Sequence, residues 1–356
     1  MADDLNNSEI KEIIMERRLF LKGVGGVAGG VALPVGVSLG GETSQSKPDS
    51  PASDASGLPR RRLGRTGAMV SIVGFPGLSL IHYDQKECNA GIHKAFDEGV
   101  NFFDVAPAYG NGQAETKMGI GLAGLDRSRY FLACKTKKRD RDGSRKELEQ
   151  SLRLLKTDYF DLYQMHHLVR PDEVKQALGP GGAIETFLKA KEQGKVRHLG
   201  FSAHTTKAAL EALRGFAFDT VMFPINFVEY YLRDFGKEVL ALAAERGAAV
   251  LAIKPMSRGA WPEGVPRTRK WWYRSVEEPK EVSLAMRFTL SLPGVVSGIP
   301  PSFLDLLDKA IVAARSYQPP TEAELDELKQ IAKDCTSIFQ REEALVAWAS
   351  PCHAAA

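Results

Sequence analysis

The stretch NFFDVAPAYGNG at 101–112 decides the fold, because its pattern returns twice downstream. An apolar run ends on Asp104, a second (FLACKTK, 131–137) reaches Lys135, and a third (DLYQMHH, 161–167) reaches His166. Asp104, Lys135 and His166 follow one another at intervals of 31 residues. Working outward, β-type runs are expected at 71–75, 101–104, 130–134, 161–165, 197–201, 220–223, 249–253 and 295–299. Helical patterns fall between them at 86–98, 145–155, 184–192, 235–246 and 279–290. Strict alternation of strand and helix implies a parallel sheet with crossovers. Eight such units over roughly 250 residues match a closed α/β fold, a (β/α)8 TIM barrel. The rival, an open doubly wound sheet, would show a Gly-rich fingerprint after its first strand. GFPGLSL at 74–80 is not that fingerprint.

In such a barrel, side chains at the C-terminal strand ends meet at one mouth. Asp104, Lys135 and His166 are therefore expected at equivalent heights on consecutive strands, with Asp104 within reach of Lys135. Tyr109 lies five residues past Asp104 in a loop containing Pro107, Gly110 and Gly112, and is expected to fold back over the mouth. The chemistry follows from these residue types. A free phenol titrates near pH 10, a neighbouring ammonium would lower it, and a carboxylate would hold that ammonium in place. A histidine beside them can donate to a substrate oxygen. The group as a whole can protonate a carbonyl as hydride arrives at its carbon, or run the reverse. Singly, each residue has a structural reading: Lys135 a strand cap, His166 a core imidazole, Asp104 a turn former. Convergence favours catalysis. His167 is expected to point away from His166 by strand alternation.

The bulk composition excludes other classes. The 356 residues carry 44% hydrophobic side chains and a net charge of +3 from 47 basic and 44 acidic residues, enough for a full core and too balanced for a nucleic-acid partner. Arg60-Arg61-Arg62 reads as a solvated edge. Cys88, Cys134, Cys335 and Cys352 form no C-x-x-C pair, so neither a metal nor an iron–sulfur cluster is expected. Cys335 and Cys352 are candidates for pairing after export, while all four read as structural.

ERRLFLKGVGGVAGGVALP at 16–34 joins Arg17-Arg18 and Phe20-Leu21-Lys22 to a weakly apolar Gly-rich run, the order of features in a twin-arginine export signal. Glu16 stands where such signals often carry Ser or Thr. The organisation expected is a signal at 1–39, a linker at 40–57, the barrel at 58–318 and a helical extension and tail at 319–356. Thr321 and Glu324 are read as the capping box of one extra helix packed outside the barrel. The partners implied are the twin-arginine export machinery and a small-molecule substrate, with no stable membrane span beyond the signal. The expected location is the periplasm, free or tethered by an uncleaved signal.

RRLGRTG (61–67), GVNFFDVAPAYGNGQAE (99–115), DYFDLYQMHHL (158–168), GKVRHLGFSAHT (194–205) and VLAIKPMSRG (250–259) resemble the aldo/keto reductase family. That resemblance implies a (β/α)8 barrel, binding of NADP(H) or less often NAD(H) across its mouth, and a tetrad of Asp104, Tyr109, Lys135 and His166. Tyr109 is then the acid, Lys135 and Asp104 tune it, and His166 orients the carbonyl. It also implies Ser202 as a contact to the nicotinamide amide, with Ala203 following where Asn is common. Met222 aligns with the usual Gln, and Asn226 is a substitute for that amide contact. Lys254, Ser257 and Arg258 are candidates for a diphosphate cradle after the seventh strand. Past the eighth strand, GIPPSFLDLLDKAI (298–311) departs from the NADP(H) pattern, offering Pro301, Ser302, Leu307, Ala310 and Ile311. Only Ser302 keeps a phosphate-type contact. RKWWYRSVEEP (269–279) should overhang the mouth, where Trp271, Trp272 and Tyr273 either contact a sugar-like substrate or cofactor, or anchor the loop by packing. The leading expectation is an exported NAD(P)-dependent oxidoreductase interconverting a carbonyl and its alcohol, with the nucleotide held tightly. The alternative is a non-catalytic nicotinamide-binding sensor or partner subunit on the same barrel.

Overall fold

The computed structural model describes residues 52–53 and 57–348. The signal read at 1–39, nearly all of the linker, Cys352 and the final tail lie outside the described residues. Three short strands, β1 (Ala52–Ser53), β2 (Pro59–Arg62) and β3 (Met69–Ser71), pair antiparallel. Eight parallel strands follow: β4 (Phe75–Pro76), β5 (Phe102–Asp104), β6 (Phe131–Thr136), β7 (Phe160–Leu168), β8 (Val196–Ala203), β9 (Thr220–Pro224), β10 (Ala249–Ile253) and β11 (Val295–Ile299). They neighbour one another in chain order. A parallel bridge between Val73 and Gly298 joins the last strand to the first, with Gly74 N–H donating to Gly298 O at 3.1 Å. The sheet is thereby closed into a barrel.

Two apolar layers hold it. Inside, Phe102, Phe131, Ala133, Leu162, Met222 and Leu251 fill the barrel, and Leu63 and Val70 of the β2–β3 hairpin pack against them as a plug. Outside, the opposite faces of the strands bury Phe103, Leu132, Tyr163, Phe201 and Phe223 under the helices. Both faces are therefore apolar, as a fully covered parallel sheet requires. The hairpin also accounts for the arginine run. Arg61 donates to Leu290 O and Val295 O, both at 2.7 Å, and lies 4.9 Å from the Tyr317 ring, so it ties the plug to the barrel wall.

The connections are helices α1 (Gln85–Asp97), α2 (Gln113–Gly121), α3 (Arg141–Leu155), α4 (Pro171–Leu178), α5 (Ala183–Glu192), α6 (Thr206–Gly215), α7 (Phe227–Arg233), α8 (Lys237–Glu245), α9 (Pro279–Ser291) and α10 (Leu304–Arg315). Beyond them lie α11 (Glu322–Lys333), started by the Thr321–Glu324 capping box, and α12 (Gln340–Trp348). Two helices thus stand where the sequence suggested one. The segment between them is fixed by the buried Glu229 carboxylate, which accepts from Ser337 Oγ and Ile338 N–H, both at 2.7 Å. Phe339 then stacks on Phe235 with ring centroids 5.0 Å apart and meets His204 at 5.7 Å. The extension does more than pack on the outside: its second part reaches the barrel mouth. Among the described residues, no helix is long and apolar enough to cross a membrane.

Candidate active site

Asp104 closes β5, Lys135 lies near the end of β6 and His166 near the end of β7. Their heights differ from the equal placement read in the sequence. Asp104 pairs with Ala133 and Lys135 with Gln164, so each successive residue stands two positions beyond its neighbour's partner. A step of two keeps every side chain on the inner face, and strand tilt in a closed barrel supplies the stagger. Lys135 Nζ lies 2.5 Å from Asp104 Oδ2 and 3.2 Å from the Tyr109 hydroxyl, with the lysine wholly buried. The Tyr109 ring meets the His166 ring edge-on at 5.5 Å. Tyr109 reaches this position because residues 106–114 coil tightly, with Asn111 and two glycines in the left-handed region.

Burial sets the protonation states. Loss of water opposes a charge on Lys135, but Asp104 and Tyr109 beside it raise its pKa, so the ammonium persists. Burial also raises the Tyr109 phenol above its ordinary value, with Lys135 pulling the other way. Desolvation outweighs the ammonium here, opposite to the lowering expected from the residue types, and Tyr109 stays a neutral acid. Burial holds the His166 imidazole well below 6.5, helped by Lys135 and Lys137, so it is neutral and able to donate one N–H.

The cavity around these groups measures about 300 Å³. Of the candidates from the sequence, its walls gather Asp104, Tyr109, Lys135, His166, Ser202, Lys254, Trp271, Trp272, Tyr273 and Ser302. Three others face elsewhere. Asn226 is buried and caps α7, accepting from Glu229 N–H at 3.0 Å. Ser257 Oγ accepts from Gly259 N–H at 3.2 Å, and Arg258 is paired with Glu281 at 2.5 Å. Leu307, Ala310 and Ile311 lie on the buried face of α10, so their side chains cannot meet a nucleotide. In the aromatic loop, Tyr273 is buried whereas Trp272 is half exposed. Trp271 is wedged between Phe303 and Tyr273, both within 6 Å. Arg269 fixes the loop by pairing with Glu277 and Asp305.

Strand alternation breaks at His167, which does not point away from His166 as expected. Its φ is +59°, and the register between β7 and β8 shifts between Met165 and Leu168. Arg139 braces the kink by donating to the His166 and His167 carbonyls at 2.9 and 3.2 Å. His167 consequently lines the same cavity, together with Lys137 and His204, which the sequence reading did not single out. The kink has no sequence signal, although HLGFSAHT placed His204 just past a strand end.

The walls suit a nicotinamide ring. Ser202 Oγ accepts the His167 N–H at 2.8 Å, which leaves its own proton for a carboxamide oxygen, and Met222, Ile253 and Ile299 give an apolar bed. One cation site merits comparison: ligand atoms of His167, His204 and Glu342 lie within 4.8 Å of one another. Lys254 Nζ stands 3.4 Å from His204 Nε2 and competes with a metal for that nitrogen. A larger depression of about 840 Å³, lined by Phe131, Asp161 and Arg197 near the beginnings of their strands, lies away from the tetrad. There Arg127 and Arg197 are stacked on Tyr159 and bonded to Asp161, so their charges are already satisfied.

A closed parallel barrel with a Tyr–Lys–Asp–His group at its mouth defines a class, and comparison with known proteins agrees. The model of the aldo/keto reductase family matches residues 77–334, and the chain belongs to that family. It is 29% identical over 238 residues to an L-galactose dehydrogenase of Arabidopsis thaliana, covering 63% of this chain and 73% of that one. A 6-dehydroglucose reductase of Novosphingobium aromaticivorans is 34% identical over 176 residues, 44% of this chain and 55% of its own. Among solved structures, the holo form of an aldo-keto reductase from Bacillus halodurans superposes with a TM-score of 0.65 at 24% identity, covering 80% of this chain and all of the other. The protein is an NAD(P)-dependent oxidoreductase of the aldo/keto reductase type, acting between a carbonyl and its alcohol.

Proposed function

We propose that Tyr109 is the general acid and base of a reaction on a sugar-like carbonyl or alcohol. The contact that carries this reading is the 3.2 Å approach of Lys135 Nζ to the Tyr109 hydroxyl, with Asp104 behind the lysine. When bound, a nicotinamide cofactor supplies the hydride. His166 donates an N–H to the carbonyl oxygen and polarises it toward attack at carbon. Tyr109 passes its hydroxyl proton to that same oxygen, the C=O π bond becomes the O–H bond of the alcohol, and the phenolate left behind is stabilised by Lys135 until solvent returns a proton. Oxidation runs the same transfers backwards. Ser202 and the apolar bed of Met222, Ile253 and Ile299 orient the nicotinamide, while Ser302 stands at the phosphate side. Trp271 and Trp272 line the cavity where a sugar would lie, and the sugar chemistry in the names of two relatives supports that class. In an NADPH- and NADH-linked assay over aldehydes and aldoses, Tyr109→Phe should lower turnover by roughly a hundredfold to ten-thousandfold. Unchanged turnover would remove Tyr109 from the chemistry.

The sequence order around Arg17-Arg18 supports export of the folded, cofactor-loaded protein by the twin-arginine route. The Arg269 clamp on the loop beside Ser302 supports tight retention of the nucleotide, recycled by coupled oxidation and reduction. Denaturing the protein isolated from the periplasm and identifying the released nucleotide tests both points. Protein found in the cytoplasm regardless of Arg17→Lys/Arg18→Lys, or recovered nucleotide-free and active only with added cofactor, would refute them.

A further inference from the structure

We propose that Lys254, His204 and His167 form a subsite for an anionic group on the substrate, so that the preferred carbonyl compounds carry a carboxylate several bonds from the reacting carbon. This deepens the reading of Tyr109 and His166 as the reacting pair and rests on it.

The charge inventory of the cavity is one-sided. Among the described residues its one lining carboxylate, Asp104, is already engaged by Lys135 at 2.5 Å. That leaves Lys137, Lys254, His166, His167 and His204 facing the open space. Lys254 is held there by its backbone: φ is +61°, which turns it off the end of β10 and into the mouth. Strain of this kind at a non-glycine residue is unfavourable and persists only where surrounding structure enforces it. Its ammonium lies 5.6 Å from the Trp272 ring and 5.3 Å from Phe339, and its polar contact is His204 Nε2 at 3.4 Å. Among the described residues no carboxylate comes within 4 Å of it. Glu342 stands by the other ring nitrogen of His204, its Oε2 4.0 Å from Nδ1, beyond hydrogen-bond distance. Burial, with only Glu342 opposing it, pushes the Lys254 pKa down to about 7. A half-buried lysine with no carboxylate within ion-pair distance is left without a partner for its charged form, and an incoming anion supplies one.

The subsite is continuous with the reacting groups. Ring centroids step from His166 to His167 over 6.3 Å and from His167 to His204 over 4.2 Å. A ligand with its carbonyl at Tyr109 and His166 therefore extends toward Lys254 past the His167 ring. A divalent cation is the poorer occupant, since the Lys254 ammonium would face it. The cofactor's diphosphate is the other source of an anion, and Ser302 past β11 lines the same cavity, but Ser257 and Arg258 are engaged by Gly259 and Glu281 and do not join Lys254.

The test compares 4-carboxybenzaldehyde with 4-methylbenzaldehyde on the full chain, by calorimetric binding and by NADPH- and NADH-linked turnover. The wild type should bind the carboxylate at least about tenfold more tightly, the value of one charge-assisted contact. That ratio should fall toward one in Lys254→Met and Lys254→Gln and be restored in Lys254→Arg. Equal binding of the two aldehydes by the wild type overturns the proposal, whether or not Lys254 variants fold. If Lys254→Met instead weakens NADPH binding and leaves the aldehyde ratio intact, the anion is the cofactor's diphosphate and the proposal fails. Selective binding with no turnover of either aldehyde upholds the subsite and sinks the catalytic reading.

Discussion

Lys135 lies 3.2 Å from the Tyr109 hydroxyl although 26 residues, including the whole of α2, separate them in the chain. The contact places a permanent positive charge against a phenol that burial keeps protonated. The direction of each shift fixes a pH profile. Tyr109 is raised from 10.0, so the acid form is present up to about that pH and is lost only above it. His166 is lowered from 6.5, so the neutral imidazole is present down to that pH and is lost only below it. For a neutral aldehyde, kcat/KM in the reductive direction should be level between pH 6.5 and pH 10. A fall beginning near pH 8 would show that the phenol titrates early and that Lys135 outweighs burial.

Asp104 balances the same lysine. Removing one partner of a buried ion pair leaves the other charge uncompensated, at a cost of roughly 3–5 kcal/mol. Asp104→Asn should therefore lower unfolding stability by about 3 kcal/mol in a denaturant titration. Lys135→Met in the same background should restore part of that loss, because no buried charge then remains. Strict additivity of the two substitutions would mean that the pair does not act as a unit.

How far the sequence could be read depended on whether a signal was local. β10 and β11 were expected at 249–253 and 295–299 and occur there, because their runs are buried on both faces and bounded by turns. The first strand, expected at 71–75, is a bridge at Val73 followed by Phe75–Pro76, since that stretch spends its hydrogen bonds on closing the barrel. In the site, Asp104, Lys135 and His166 were legible from their spacing. His167 was not: a positive φ set by Arg139 from another strand end has no local signature. Phe339 and Glu342 reach the mouth only because Glu229, more than 100 residues earlier, anchors the segment before them. Such long-range placement cannot be read from periodicity. Asn226 was misleading for the opposite reason, since its side chain serves a purely local helix cap.

The Glu229 anchor makes its own prediction. Its carboxylate accepts two hydrogen bonds from the turn that begins the second C-terminal helix. Glu229→Ala leaves the Ile338 N–H and Ser337 hydroxyl without that partner, a loss of about 1–3 kcal/mol. The effect should be local opening: amide exchange at Ile338 and Phe339 should accelerate by about tenfold or more, while exchange in β10 and β11 changes little. Uniform acceleration across the barrel would mean that the extension is part of the global folding unit.

Gly77 tests how closely the first strand end supports the second. A Cβ added at this residue would stand 2.2 Å from the Asp104 carbonyl oxygen, 2.9 Å from Met118 Cε and 3.1 Å from Val105 Cβ. The methionine end can move, but the Asp104 backbone is part of the barrel wall, paired with both Pro76 and Ala133. Gly77→Ala must therefore displace the Asp104 strand end or its own, at an overpacking cost of about 1–3 kcal/mol. A shift there carries Asp104, and with it the Lys135 ammonium, away from Tyr109. The expected outcome is a lowered Tm together with a fall in kcat that exceeds the change in KM, because proton transfer is disturbed more than binding. Gly124 serves as the comparison: it also faces a strained backbone on substitution, with φ at +86°, but an added Cβ meets nothing within 4 Å. Gly124→Ala should lower Tm and leave kcat alone. Equal losses of kcat in the two variants would show that stability, not the position of Asp104, governs turnover.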